Sequence, residues 1–127
     1  MSPLPAAAPS ASRPSASVHA SRGYPRPGLK PCCHLAVAMA AADAGMTVEA
    51  LLAHKRSTAP VALARQLAMY LAHVGLGLPQ AAVAAAFGRD RSTVAHACRR
   101  IEELRDAVAF DQKVGRLESC LRWAAEA

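Results

Sequence analysis

The chain has 127 residues and a formal net charge of +6. A chain of this length buries only a modest core, which excludes a large catalytic architecture. Between His54 and Arg100 the sequence holds seven basic residues and one acid, so this stretch carries the whole net charge. A solvated surface is the ordinary explanation of a basic run, but charge segregated in this way favours a polyanionic partner.

The four cysteines are Cys32, Cys33, Cys98 and Cys120, and they form no CxxC pair. We predict reduced thiols and no metal site, because the adjacent residues Cys32, Cys33 and His34 cannot easily wrap one ion. No apolar run reaches the roughly 18 residues of a membrane span. The N-terminal stretch lacks the apolar block of a secretory signal, although its acid-free composition of Ala, Ser and Arg also fits an organellar transit peptide.

Residues 1–31 contain seven of the nine prolines together with many Ser and Ala. Such a composition buries too little apolar surface to offset its ordering entropy, and we predict a disordered tail. From His34 onward, apolar residues recur at helical spacing with no alternating strand pattern. The predicted fold class is therefore all-α, a small multi-helix domain over residues 34–106.

The predicted helices follow one another closely. The first runs from His34 to Ala44 and ends at Gly45, and Thr47 caps a short second helix that ends at Ala53.

A loop is predicted over residues 54–60, where Ser, Thr and Pro occur. A third helix extends from Val61 to His73. A break at residues 75–79 follows, and Pro79 suits the first turn of a fourth helix that reaches Ala86.

The next stretch has the spacing of a helix-turn-helix. Ala84 is small where two helices nearly touch, Gly88 allows a sharp turn, and Val94 is placed to hold the second helix on the core. The second helix is strongly two-sided when it is plotted at about 100° per residue. Its predicted outer face holds Ser92, Thr93, His96, Arg99, Arg100 and Glu103, and its inner face holds Val94, Ala97, Cys98, Ile101 and Leu104.

The outer face carries donors that suit phosphates and base edges in a DNA major groove. Acidic residues Glu102, Glu103 and Asp106 follow the arginines, so the N-terminal half of the helix is expected to face the phosphates. Asp90 is expected to cap the helix and also to accept from cytosine N4.

Two segments carry a resemblance to a known family. The segment ARQLAMYLA and the later segment LPQAAVAAAFGRDRSTVAHACRRIEELR resemble the C-terminal DNA-binding domain of DnaA, the bacterial chromosomal replication initiator. The hallmark of that domain has the form G-R-D-H-T-T-V-x-H-A-x-[RK]-K-I. The similarity covers roughly residues 34–106. The Lys-Arg pair Lys55 and Arg56 lies in the loop before ARQLAMYLA, and these motifs follow one another in the same order as in the family.

The resemblance implies roles for individual residues on double-stranded DNA. Arg56 is expected in the minor groove. The residues expected at base edges are Asp90, Arg91, Ser92 and Thr93, with Pro79 near a thymine methyl. The residues expected on the DNA backbone are Lys55, Arg65, Gln66, Arg89, His96, Arg99 and Arg100.

The chain departs from the family pattern in the turn and at the start of the recognition helix. The family has a second glycine before the Arg-Asp pair, whereas here Gly88 stands alone. Arg91 and Ser92 replace a histidine and a threonine. Since Arg can read guanine bidentately and Ser lacks the methyl of Thr, we expect a preferred DNA sequence that has drifted from the usual box.

No G-x-x-x-x-G-K-[ST] phosphate loop occurs in these residues, so neither a nucleotide nor another cofactor is expected. The predicted protein is a DNA reader without the ATPase, in the bacterial cytoplasm and associated with the nucleoid. It would bind DnaA-box-like sites and regulate replication initiation or transcription, with replication or transcription proteins as further candidate partners. A truncated gene product without a retained role is the alternative within this hypothesis.

Residues 107–127 are expected to form a final amphipathic helix. Its apolar positions are Phe110, Val114, Leu117, Leu121 and Ala124, and packing on the domain is favoured over self-association.

Two other functional classes remain open. One is a small helical interaction module whose basic face binds an acidic protein. The other, weaker one is an enzyme: Asp90, Ser92 and His96 occur together, but on an exposed helix end without a pocket, which is a simpler contact surface than a catalytic triad.

Overall fold

A computed structural model of the protein describes residues 31–53 and 58–126, with backbone alone for residues 31 and 32. The predicted tail lies outside this range except for Pro31, and so does the basic pair Lys55 and Arg56. Across the described ranges every regular element is helical, which confirms the all-α fold class.

Six α-helices and one π-helical segment follow in chain order through the described residues. They are α1 (Pro31–Ala44), α2 (Val48–Leu52), α3 (Ala59–Tyr70), the π segment (Leu71–Gly75), α4 (Gln80–Phe87), α5 (Arg91–Leu104) and α6 (Val108–Glu126). Helix α3 packs against both α1 and α5, and it forms the centre of the domain.

Several predicted boundaries were wrong by a few residues. Helix α1 begins at Pro31 rather than His34, because proline is tolerated in the first turn of a helix. For the same reason Ala59 and Pro60, predicted in a loop, form the first turn of α3. Pro79 precedes α4 as its N-cap residue rather than lying within its first turn.

The short helix α2 begins as expected. Thr47 has an extended backbone, and its Oγ1 accepts a hydrogen bond from the amide of Ala50 at 3.0 Å. Leu51 and Leu52 are buried in the core, while Ala53 returns to an extended conformation and ends the helix.

The end of the predicted third helix has π rather than α geometry. The amide of Leu76 donates to the carbonyl of Leu71 at 3.0 Å, which is a wider turn than that of an α-helix. Gly75 is buried in this segment, and a Cβ atom built there would lie 3.5 Å from Cδ2 of Leu121 in α6. The π segment is thus the surface on which α6 packs.

Helix α6 packs on α1 and the π segment, as predicted from its apolar spacing. Val114 and Leu121 are fully buried, and Phe110 and Leu117 pack beside them. Burying aliphatic side chains of this size contributes about 1.5–3 kcal/mol each, so α6 is part of the folded core.

Candidate nucleic-acid interface

The turn between α4 and α5 is made by one glycine in the left-handed region. Gly88 has φ 66° and ψ 38°. Its amide donates to the carbonyl of Ala85 at 3.2 Å, and the amide of Arg89 donates to the carbonyl of Ala84 at 2.9 Å. These bonds satisfy two carbonyls at the end of α4 and reverse the chain, a Schellman arrangement that favours glycine.

Asp90 is the N-cap residue of α5, with φ −74° and ψ 152°. Its backbone carbonyl accepts from the amides of Thr93 at 3.0 Å and Val94 at 3.3 Å. The predicted side-chain cap was wrong, because the carboxylate makes no hydrogen bond to the helix amides. The exposed carboxylate is therefore open to an external donor.

The inner face of α5 is fixed on α3 and α4. Val94, Ala97, Cys98 and Ile101 are buried, and Leu104 is partly buried against the same core. Burial, followed by the charge of Glu102, raises the pKa of the Cys98 thiol to about 11. The predicted inner face is confirmed residue by residue, because these five residues all lie in or against the core.

The opposite face of α5 is open to solvent. All six residues assigned to it from sequence are exposed: Ser92, Thr93, His96, Arg99, Arg100 and Glu103. Pro79 and Arg91 are exposed as well. The fold thus presents the N-terminal part of α5 as a polar surface.

Gln66 in α3 joins this surface. It lines a depression of about 320 Å³ together with His96, Arg99, Arg100 and Glu103 of α5. In the sequence Gln66 lies 25 or more positions before the residues of α5, and the packing of α3 on α5 brings them together.

Arg65 lies in a different environment from the other predicted backbone contacts. It is 8% exposed, and it is the only charged residue buried in the described part of the chain. Its Nε donates to the carbonyl of Leu51 and its Nη2 to the carbonyl of Ala53, both at 2.8 Å. Burial, and then the neighbouring charge of Arg89, lowers the pKa of Arg65. The structure gives Arg65 an internal role, and its contact with phosphate stays a prediction.

Arg89 is half-buried beside the turn. Its Nη2 donates to the carbonyl of Ala53 at 3.3 Å, the same oxygen that Arg65 uses. Its Nε is buried and has no hydrogen-bond partner within the described residues.

The basic residues of the domain differ in how they are neutralised. Arg91, Arg99 and Arg100 of α5 form no ion pair with any described residue, and the same holds for Arg116 and Arg122 of α6, whereas two other cations are paired. Arg105 pairs with Asp111 at 2.6 Å and Glu118 at 3.2 Å, and Lys113 pairs with Asp43 at 3.1 Å. Unpaired positive charge therefore lies on α5, and also on Arg116 and Arg122 of α6.

Sequence reasoning missed the interior position of Arg65. A signal was present, because Arg65 lies about 60° around the helix from Ala68, three residues later, and so borders the apolar face of α3. The roles of Lys55 and Arg56 are predictions that lie outside the described residues. None of the described helices combines the length and the apolar character needed to cross a membrane.

A comparison with known families agrees with the geometry. A model of the family described as bacterial dnaA protein helix-turn-helix matches residues 36–101, which covers α4, the turn and most of α5. The match spans more than half of the chain and includes the two-sided helix described above. The chain therefore belongs to the bacterial DnaA helix-turn-helix family, and its helical domain is a DNA-binding domain.

Proposed function

We propose that this protein binds double-stranded DNA sequence-specifically, at sites related to the DnaA box. The observation that carries the proposal is the difference between the two faces of α5. Its apolar face is fixed in the core, while its exposed face holds arginines that no described acid neutralises. A rigid helix with open donors and uncompensated charge suits a major groove and its phosphates.

The proposed base contacts lie at the start of α5. The Asp90 carboxylate, which does not cap the helix, would accept from cytosine N4. Arg91 would pair bidentately with guanine, and Ser92, Thr93 and Pro79 would meet neighbouring base edges. This assignment places base recognition in the first turn of α5, where the positive end of the helix dipole also favours DNA.

The proposed phosphate contacts come from α3, from the turn before α5 and from the later part of α5. Gln66, His96, Arg99 and Arg100 line one depression, and Arg89 lies in the turn that precedes α5. Lys55 and Arg56, from the sequence, would add a backbone and a minor-groove contact, and Arg65 would support the backbone.

The proposed biological role is regulation without catalysis. The protein would occupy DnaA-box-like sites at an origin or at promoters, associated with the nucleoid in the cytoplasm, and would compete or cooperate with replication or transcription proteins. The 127-residue sequence contains no phosphate-loop motif. The proposed role therefore uses neither nucleotide nor any other cofactor.

Selection of bound duplexes from a random library tests the proposal. We expect enrichment of a motif related to the DnaA box, with differences concentrated at the base pairs read by Arg91 and Ser92. Each lost base contact should cost about 1–3 kcal/mol on the selected site, so Asp90→Asn and Thr93→Val should bind it roughly tenfold or more weakly. Recovery of no motif, together with unchanged binding by both variants, would favour the interaction module with an acidic protein partner.

A further inference from the structure

A carboxylate lies among the arginines on the exposed face of α5. Glu103 lines the depression of about 320 Å³ together with Gln66, His96, Arg99 and Arg100. Its side chain is exposed, and its carboxylate forms no ion pair with any described cation. The depression therefore holds one unpaired negative charge beside two unpaired positive charges.

The spacing of these residues along the helix makes the lack of pairing informative. Glu103 follows Arg99 by four positions and Arg100 by three, the separations at which opposite charges on one helix commonly pair. The more favourable order places the acid before the base, whereas here the bases come first. The carboxylate thus stays open to a charged group that approaches the depression.

Three other carboxylates of the domain serve the fold instead. Asp43 pairs with Lys113, and both Asp111 and Glu118 pair with Arg105. These pairs join α6 to its neighbours, and their charge is compensated within the protein. Glu103 makes no such link, and it lies on the surface that is proposed to meet phosphates.

The distance of Glu103 from the start of α5 separates two modes of DNA binding. Glu103 lies 12 positions after Arg91, about 18 Å along a helix and farther than the roughly 8.5 Å depth of a major groove. A helix that enters the groove by its first turn therefore keeps this carboxylate outside the groove. Non-specific binding consists of phosphate contacts without base contacts, and a helix that lies on the backbone in this way brings Glu103 against phosphate.

We propose that Glu103 is a specificity-determining residue, an inference that rests on the proposed function. Its carboxylate repels phosphate when α5 lies on DNA without base contacts, and it lowers the affinity for unrelated sequences. On the preferred site, base contacts in the first turn of α5 hold the carboxylate away from phosphate. Glu103 thereby widens the difference in affinity between specific and non-specific DNA without contacting a base.

Removal of this charge tests the proposal. Binding of the full chain is measured on a selected duplex and on a scrambled duplex of the same length and composition, at several salt concentrations. Glu103→Gln should bind the scrambled duplex about fivefold more tightly and the selected duplex less than about twofold more tightly, because only the scrambled duplex brings phosphate to the carboxylate. The gain on the scrambled duplex should shrink as salt rises, because screening weakens the repulsion that the variant removes.

Two further variants separate the charge from other consequences of the substitution. Glu103→Asp keeps the negative charge and should retain most of the wild-type discrimination. Glu126→Gln removes a carboxylate from an exposed position at the end of α6 and should leave the ratio of the two affinities unchanged. Circular dichroism checks that each variant is folded.

The outcomes are distinct. Equal gains of Glu103→Gln on both duplexes, no gain on either, or the same change in Glu126→Gln would overturn the proposal. A gain that persists at high salt would also overturn it, because repulsion between exposed charges is screened. A wild-type chain that binds the selected and scrambled duplexes equally would instead overturn the proposed function.

Discussion

Gly88 determines how the chain enters the recognition helix. Its φ of 66° lies in the left-handed region, and the two hydrogen bonds of the turn depend on that conformation. The family pattern has two glycines at this point, whereas one glycine completes the turn here. The residue that reverses the chain is therefore also the residue that sets the direction of α5.

Replacing Gly88 tests its conformational role. Gly88→Ala should lower the free energy of unfolding by about 1 kcal/mol, because a Cβ atom disfavours the left-handed conformation. Gly115→Ala is the matched control, since Gly115 lies inside α6 and a Cβ atom there meets only Nη2 of Arg105 at 4.0 Å. The control should raise the free energy of unfolding by about 0.5–1 kcal/mol. Urea denaturation measures both, and equal effects of the two substitutions would contradict the assigned turn.

Cys98 makes stability depend on alkaline pH. Its thiol pKa is raised from the ordinary 9.0 to about 11 by burial and then by Glu102, so the folded state disfavours the thiolate. The stabilisation from the neutral thiol is complete below pH 9 and is lost as the pH rises through 11.

We expect the free energy of unfolding to fall by about 2 kcal/mol across that interval. In Cys98→Ala the fall should be smaller, because the remaining alkaline effect comes from other groups such as Tyr70, whose pKa burial also raises. Urea titrations at several pH values measure the difference. An identical pH profile in both chains would show that Cys98 is not the group responsible.

At the scale of elements, Arg105 links α6 to the end of α5 and to α3. Arg105 follows α5 and contacts Asp111 and Glu118 of α6 and the hydroxyl of Tyr70 in α3. Burial alone would lower the pKa of Arg105, but hydrogen bonds with Asp111 and Tyr70 and the charge of Glu118 hold it above its ordinary value. The corner between α5 and α6 is therefore held by polar contacts in addition to the apolar face of α6.

Removing this arginine should weaken the docking of α6. Arg105→Met leaves Glu118, whose side chain is 14% exposed, without its cation, and we expect a loss of about 1–3 kcal/mol in the free energy of unfolding. Arg116→Met, at an exposed position of the same helix, should change it by less than about 0.5 kcal/mol. Thermal and urea unfolding provide the measurement. Comparable stability of the two variants would contradict a role for the Arg105 cluster.

Across the part of the chain that the structure describes, unpaired arginines lie on α5 and also at Arg116 and Arg122 of α6. Arg105 and Lys113 have carboxylate partners, while Arg91, Arg99 and Arg100 have none within the described residues. Arg99 and Arg100 lie together beside Gln66 and His96, and clustered unpaired cations attract a polyanion from a distance, an effect that weakens with salt.

The salt dependence of DNA binding tests whether DNA meets the unpaired arginines of α5 or those of α6. The double variant Arg99→Gln, Arg100→Gln should reduce the slope of log K against log salt by about two, since each phosphate contact contributes about one. The double variant Arg116→Gln, Arg122→Gln removes the same charge from exposed positions of α6 and should leave the slope near the wild-type value. Equal slopes for the two variants would place DNA elsewhere on the surface.

The sequence alone determined the helical class, the turn at Gly88 and both faces of α5. These features are local, because a helix repeats every 3.6 residues and each position on its surface follows from its neighbours in the chain. Helix ends were less certain, since Pro31 and Pro60 are compatible with either a loop or a first helical turn. The π geometry before Gly75 was not predictable either, because it accompanies the packing of α6 on that segment.

Only the tertiary structure decided which charged side chains make hydrogen bonds inside the molecule. Arg65 and Ala53 are 12 positions apart, Arg89 and Ala53 are 36 apart, and Arg105 and Tyr70 are 35 apart. No helical periodicity relates residues at such separations. The local sequence around an arginine on a helix surface also does not show whether its side chain contacts a phosphate or a backbone carbonyl. The sequence therefore identified the exposed face of α5, whereas the packing of α2, α3 and the turn determined which arginines stay exposed and which donate to backbone carbonyls inside the domain.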